Sequence, residues 1–294
     1  MNTFLNGVGV ALVTPFTNSG AVDFEALKKL VDFTIAGGVD YLVALGTTAE
    51  TATLTADEKD AVLDCVLATN AGRKSVVVGV GGNNTADVCA QLAKYSREGV
   101  NAILSVTPYY NKPSQEGIYQ HYKQIATTST LPVVLYNVPG RTGVNMTATT
   151  TLRLANEFSN IIAVKEASGN LGQVAYILRD RPANFKVISG DDNLSVALIS
   201  QGGDGVISVA ANSFPEVFSE MIHCALKGDY TTAQANLSRL LEATDLLFSE
   251  GNPTGVKAAL AVKGILENNL RLPLVPSTEK LYASLKEQIE KYGI

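Results

Sequence analysis

Lys165 follows the apolar run Ile161-Ile162-Ala163-Val164 without a break, which makes it a candidate for amine chemistry. If the run is a buried strand, the lysine is drawn into a site of low dielectric. Burial there favours the neutral amine, a nucleophile toward carbonyl carbon. The competing reading is a lysine that snorkels to solvent or pairs with Glu166. Tyr136 ends the preceding apolar run, where a phenol can pass protons between amine, carbinolamine and substrate, or simply fill the top of a core. Arg141 sits in YNVPGRTG, too rich in Gly and Pro for a helix. Its planar fork matches a carboxylate, with a solvated loop charge as the alternative. Gly46-Thr47-Thr48 offers hydroxyls and turn N–H groups to a keto-acid carboxylate. Tyr109 and Tyr110 are adjacent in the Pro-bounded stretch TPYYNKP, so they point different ways and cannot both be core. One is free to meet a site or a second subunit. Asp191-Asp192 reads as a metal pair or, in preference, as helix caps. His121 and His223 have no partner at ligand spacing, which sets metal and histidine chemistry aside.

The elements that must position these residues are short β-branched runs alternating with longer amphipathic segments. The runs are Val8–Val13, Tyr41–Leu45, Ser75–Val80, Ala102–Val106, Val133–Tyr136, Ile161–Lys165, Lys186–Ser189 and Val206–Val209. Each is nearly continuous in apolar residues, as a strand buried on both faces requires. Between them lie helical patterns over 23–36, 55–69, 85–98, 114–128, 147–158 and 191–201. Thr55 with Glu58 forms a capping box, Thr85 and Ser114 read as N-caps, and Gly37-Gly38, Gly72 and Gly99 stop helices. Eight strands, each followed by a helix, imply an α/β fold, a closed (β/α)₈ TIM barrel. An open doubly wound sheet would carry a Gly-rich phosphate turn after its first strand, where this chain has Thr14-Pro15-Phe16. Gly79-Val80-Gly81 lacks the rest of a dinucleotide fingerprint. The strand signal stops near Asp229. We therefore expect a barrel over residues 1–228 and a C-terminal helical appendage over 229–294. In a barrel, reactive residues belong at the C-terminal ends of strands, where Thr47, Thr48, Tyr109, Tyr110, Tyr136, Arg141, Lys165 and Gly190 all fall.

Composition narrows the partners. Of 294 residues 46% are hydrophobic and 17% charged, enough for a sizeable core. A net charge of −5 without a Lys/Arg run argues against nucleic acid or an anionic membrane. No apolar run approaches membrane-spanning length, and the N-terminus lacks a basic segment ahead of its apolar stretch. Three scattered cysteines, Cys65, Cys89 and Cys224, form neither a disulfide framework nor a zinc pattern. A cytoplasmic location is the expectation.

GTTAET at 46–51, TPYYNKPSQEG at 107–117, YNVPGRTG at 136–143, KEASGN at 165–170, SGDD at 189–192 and GGDGVISV at 202–209 fall in one order along nearly the whole chain. Taken together, these segments resemble the dihydrodipicolinate synthase and N-acetylneuraminate lyase superfamily. TPYY and the arginine of RTG are similar to its synthase branch. The resemblance implies a lyase that joins pyruvate to L-aspartate 4-semialdehyde through a Schiff base on Lys165. The product, 4-hydroxy-tetrahydrodipicolinate, leads toward lysine and diaminopimelate. It implies a proton relay of Tyr136, Thr48 and Tyr110, the last reaching in from a neighbouring subunit. Arg141 would hold the aldehyde's carboxylate and the Thr47-Thr48 backbone the pyruvate carboxylate, with Gly190 and Ile207 lining the pocket. It further implies a homotetramer built as a dimer of dimers. No metal or organic cofactor is implied, because the lysine itself is the electron sink.

Two departures stand out. Ala49 replaces the glycine of the family's GTTGE, which adds strain if that position needs positive φ. Ala56 and Lys59 stand where lysine-inhibited members carry histidines. An effector site for L-lysine would keep Asn83, Asp87 and Tyr109, but Lys59 would repel the cation, so weak or no lysine inhibition is expected. Two other functions compete. A sister aldolase acting on sialic acid or a 2-keto-3-deoxy sugar acid would have little use for Arg141. A non-catalytic barrel would have no reason to keep Lys165, Tyr136 and Thr48 together.

Overall fold

The computed structural model describes residues 3–294. Eight parallel strands close into a barrel in sequence order: β1 (Gly7–Ala11), β2 (Tyr41–Ala44), β3 (Ser75–Gly79), β4 (Val100–Val106), β5 (Val133–Asn137), β6 (Ile161–Glu166), β7 (Lys186–Ser189) and β8 (Gly205–Ser208). The barrel joins where Val8 of β1 pairs with Val206 of β8. Side chains alternate across each strand, and two apolar clusters result. The inward set fills the barrel with Tyr41, Val43, Val77, Leu104, Tyr136, Ala163, Ile188 and Ile207. The outward set packs under the helices with Val8, Leu42, Val76, Ile103, Val133 and Val164. Each Val, Leu or Ile so buried contributes about 1.5–3 kcal/mol relative to exposure. Tyr41 lies across the interior because β1 offers no side chain at Gly9, where a Cβ would sit 2.2 Å from its ring.

Helix boundaries follow local chemistry. The capping box of Thr55 and Glu58 opens the helix Ala56–Asn70 and Ser114 caps Gln115–Thr128, both as expected, while Thr147 caps Ala148–Glu157. Three expectations need correction. The helix expected over 85–98 stops at Tyr95, and its N-cap is Asn84. The Thr85 hydroxyl instead meets His121 Nδ1 at 2.8 Å. The helix expected from 191 starts only at Ser195, because Asp192 is committed elsewhere. Its carboxylate accepts from the Val209 and Ala210 amides beyond β8, while Asp191 accepts from Leu194 N. Finally, the loop after β5 holds one helical turn, Pro139–Thr142, that carries Arg141.

The turn after β2 also differs from expectation. Ala49 is not among the residues of positive φ; Leu45 (φ 55°) and Glu50 (φ 53°) are. The replacement of glycine by Ala49 therefore adds no left-handed strain, and the Ala49 carbonyl accepts a hydrogen bond from the Thr14 hydroxyl at 2.7 Å. Gly79 makes the Leu45 conformation possible, since a Cβ there would sit 2.2 Å from the Leu45 carbonyl oxygen. That close approach is the physical reason for a glycine a nucleotide motif would otherwise suggest.

After Pro215–Leu226, the helices Tyr230–Ser249, Thr254–Val262 and Glu279–Tyr292 pack on the barrel. Leu240, Leu247, Val256 and Leu281 join the same apolar cluster as the outward strand residues. No helix is long and apolar enough to cross a membrane. The one buried histidine, His121, has its pKa lowered to about 4 by desolvation. Its folded pKa lies below the unfolded value, so the stabilisation is complete above about pH 6.5 and is lost as pH falls toward 4. We expect thermal melts of the wild type to lose on the order of 2–3 kcal/mol over that window from this group. His121→Gln should flatten that limb, and an unchanged acid limb would contradict the assignment.

Candidate active site

The C-terminal ends of the strands surround two adjoining cavities. The deeper, about 180 Å³, is lined by Thr48, Tyr136, Lys165, Gly190, Val209 and Asn252 among others. The outer, about 440 Å³, shares Gly46, Thr47, Tyr136, Arg141 and Asn252 with it and runs outward to Lys59 and Tyr109. Registry explains the centre. Tyr136 of β5 pairs with Lys165 of β6, so both point inward at one height. Lys165 Nζ lies 4.4 Å from the centroid of the Tyr136 ring. Both side chains are buried.

Glu166 is not the partner of Lys165. It follows on β6 and so points to the opposite face. There its carboxylate accepts from Asn137 Nδ2 (3.1 Å to each oxygen), Gln173 Nε2 (2.9 Å) and the Ser168 amide (2.8 Å). It forms no ion pair with Lys165, and neither does any other carboxylate among the described residues. Lysine-165 thus presents an unpaired amine to a cavity. Gly190 gives it room: a Cβ at that position would lie 2.9 Å from Lys165 Cε and 2.6 Å from Ala167 Cβ.

The remaining residues are placed as follows. Thr48 is buried and its Oγ1 accepts from Asn252 Nδ2 at 3.0 Å, while Thr47 is exposed at the rim. Arg141 is exposed and borders both cavities. Ile207 lies in the interior cluster with Tyr136 and Ile188, and from the end of β8 it is Val209 that reaches the cavity wall. Tyr110 is 88% exposed, with φ 71°, and touches neither cavity of its own chain. Asn83 Nδ2 donates to the Tyr109 carbonyl at 3.2 Å, and Asp87 accepts from Asn84 Nδ2 at 2.7 Å. Among the described residues no three acidic, His or Cys side chains gather as a metal site, and Asp191 and Asp192 turn apart.

A family model described as the dihydrodipicolinate synthetase family matches residues 4–292. The chain belongs to the dihydrodipicolinate synthetase family. Within it, a 4-hydroxy-tetrahydrodipicolinate synthase of Parabacteroides distasonis is 55% identical over 99% of this chain and 98% of its own. The dihydrodipicolinate synthase structure from Thermotoga maritima superposes with a TM-score of 0.96 at 40% identity, covering 99% of each chain. The structure from Cyanidioschyzon merolae, described as having lysine bound, gives 0.95 at 39% identity, again over 99% of each.

Around the mouth, some residues were read differently from sequence or not read at all. Asp192 is buried, and desolvation raises its carboxyl to about 6 against the hydrogen bonds of Ser208, Val209 and Ala210. Lys257 is wholly buried and pairs with Glu50; burial lowers it to about 8 with the Glu50 charge opposing. A lysine amid Val256, Ala258, Ala259 and Leu260 was the available signal for that pair. Asn252 carried no signal, because its partner Thr48 is remote in sequence. For Gly190→Ala we expect a loss of about 1–3 kcal/mol on thermal unfolding from overpacking. We also expect the Lys165 amine to be displaced from the Tyr136 ring in a crystal structure of the variant. A variant as stable as wild type with Lys165 in place would contradict the steric argument.

Proposed function

We propose that this chain joins pyruvate to L-aspartate 4-semialdehyde, giving 4-hydroxy-tetrahydrodipicolinate, by way of a Schiff base on Lys165. The observation that carries the reading is a buried lysine amine, free of any carboxylate, facing a cavity beside a tyrosine. Attack of Lys165 Nζ on the keto carbon, with loss of water, forms an imine whose adjacent methyl becomes acidic. Proton loss gives an enamine, and its carbon attacks the aldehyde; the amino group of that substrate then displaces Lys165 Nζ from the former keto carbon, closing the ring and freeing the lysine. Proton transfers of this kind need a relay at the amine, a role assigned here to Tyr136, Thr48 and Tyr110. The 88% exposure of Tyr110 supports its delivery from a second copy, within a homotetramer of paired dimers. The Thr47-Thr48 turn would take the pyruvate carboxylate, Arg141 the carboxylate of the aldehyde, and Gly190 and Ile207 would shape the floor. The substrates and the family's biosynthetic role fit a cytoplasmic enzyme.

The assay is condensation of the two substrates against cleavage of sialic and sugar acids. Condensation is expected to dominate, and faster cleavage would overturn the substrate assignment. For Arg141→Ala, loss of a charge-assisted contact is expected to raise the aldehyde KM about 10- to 100-fold with pyruvate KM little altered. Equal effects on both substrates would remove Arg141 from the aldehyde site.

Lys59 borders the outer cavity with Tyr109. Its charge opposes a cationic effector beside Tyr109, Asn83 and Asp87. L-lysine at sub-millimolar concentration is expected to leave the rate unchanged, and clear inhibition there would contradict this.

A further inference from the structure

Several contacts tie the turn after β2 to the C-terminal region. Asn252, on the loop between Tyr230–Ser249 and Thr254–Val262, donates through Nδ2 to Thr48 Oγ1 at 3.0 Å. Two residues after Thr48, the Glu50 carboxylate takes Lys257 Nζ at 2.5 Å on one oxygen and the Arg271 amide at 3.2 Å on the other. Lys257 also donates to the Asn269 carbonyl at 2.9 Å. The Arg271 guanidinium grips Glu58 and donates to the carbonyls of Thr53 and Gly20 at 2.9 Å each. The turn is thus clamped by residues about two hundred positions later.

Three unfavourable features coincide here. Glu50 is a non-glycine residue in the left-handed region. The Lys257–Glu50 pair is wholly buried, where a well-packed apolar pair would serve stability as well or better. Asn252 Oδ1 is buried with no partner among the described residues. Such features persist where the surroundings over-determine them, and they concentrate at sites that serve function. The donor sense of Asn252 matters too. Its N–H occupies a lone pair of Thr48 Oγ1, so the Thr48 hydroxyl proton is left for another acceptor. A relay at the Lys165–Tyr136 pair needs that proton.

We propose that the C-terminal helical region is a positioning element for the reaction: Lys257 acts through Glu50, and Asn252 acts directly, to hold Thr48 with its hydroxyl proton available to the relay. This rests on the Schiff-base condensation assigned above.

The test uses the full chain. Glu50→Gln combined with Lys257→Met removes both buried charges while keeping an acceptor for the Arg271 amide. Its melting temperature is expected to stay close to wild type, while kcat/KM for pyruvate falls on the order of 10- to 100-fold through misplacement of the turn. KM for the aldehyde should hold, because Arg141 is carried by the separate helix Pro139–Thr142. A stable double variant with wild-type kcat/KM would overturn the role of the pair. Asn252→Asp puts an acceptor where the donor was and draws the Thr48 proton away. It is expected to lower kcat on the order of 10-fold or more, with pyruvate KM retained. Wild-type kcat in that variant would overturn the role of Asn252, and it decides alone if the double variant does not fold. Wild-type protein without condensation activity fails the functional assignment itself; active wild type with unaffected variants fails only the positioning.

Discussion

Side chains along β6 point alternately inward and outward, and the candidate site at the barrel mouth depends on that alternation. It sends Lys165 into the barrel and Glu166 out beneath the helices, where Asn137, Gln173 and the Ser168 amide satisfy the carboxylate. Two adjacent residues of opposite charge are thereby kept from neutralising each other. A one-residue slip of β6 would reverse the two faces and put a carboxylate in the cavity. The closed barrel guards against such a slip, since β6 is paired on both sides and every neighbour has its own apolar face to bury.

The two buried lysines show what environment does to one side chain. Lys257 meets Glu50 and the Asn269 carbonyl, so its charge is spent on holding chain segments together. Lys165 meets an aromatic ring, a glycine's gap and an open cavity. The first is a clamp and the second has no charged partner and borders a cavity, although both sit in apolar stretches of sequence. Glycines decide much of the remaining geometry by leaving space. Gly9 admits Tyr41, Gly79 admits the Leu45 carbonyl, and Gly190 admits the Lys165 stem.

The strands were legible because burial on both faces demands nearly continuous apolar runs, and none of the eight expected runs is misplaced by more than a few residues. The places of Lys165 and Tyr136 at strand ends followed from the same runs. Harder to read were features set by partners far along the chain. The helix expected from Asp191 starts late because Asp192 is claimed by the amides after β8. Thr85 looked like a cap until His121 took its hydroxyl. Ala49 would be strained only at positive φ, and in this turn positive φ falls on Leu45 and Glu50 instead, with Gly79 leaving room for the Leu45 carbonyl. Asn252 and Lys257 were illegible as parts of the mouth, since nothing local links them to a turn about two hundred residues earlier.

The proposed role of Lys165 as the amine that captures pyruvate requires a pyruvate imine on that residue. Intact-protein mass spectrometry after incubation with pyruvate and borohydride tests it most directly. One covalent adduct per chain is expected, mapping to Lys165 and absent from Lys165→Ala. A folded protein with no adduct, or with the adduct on another lysine, would contradict it.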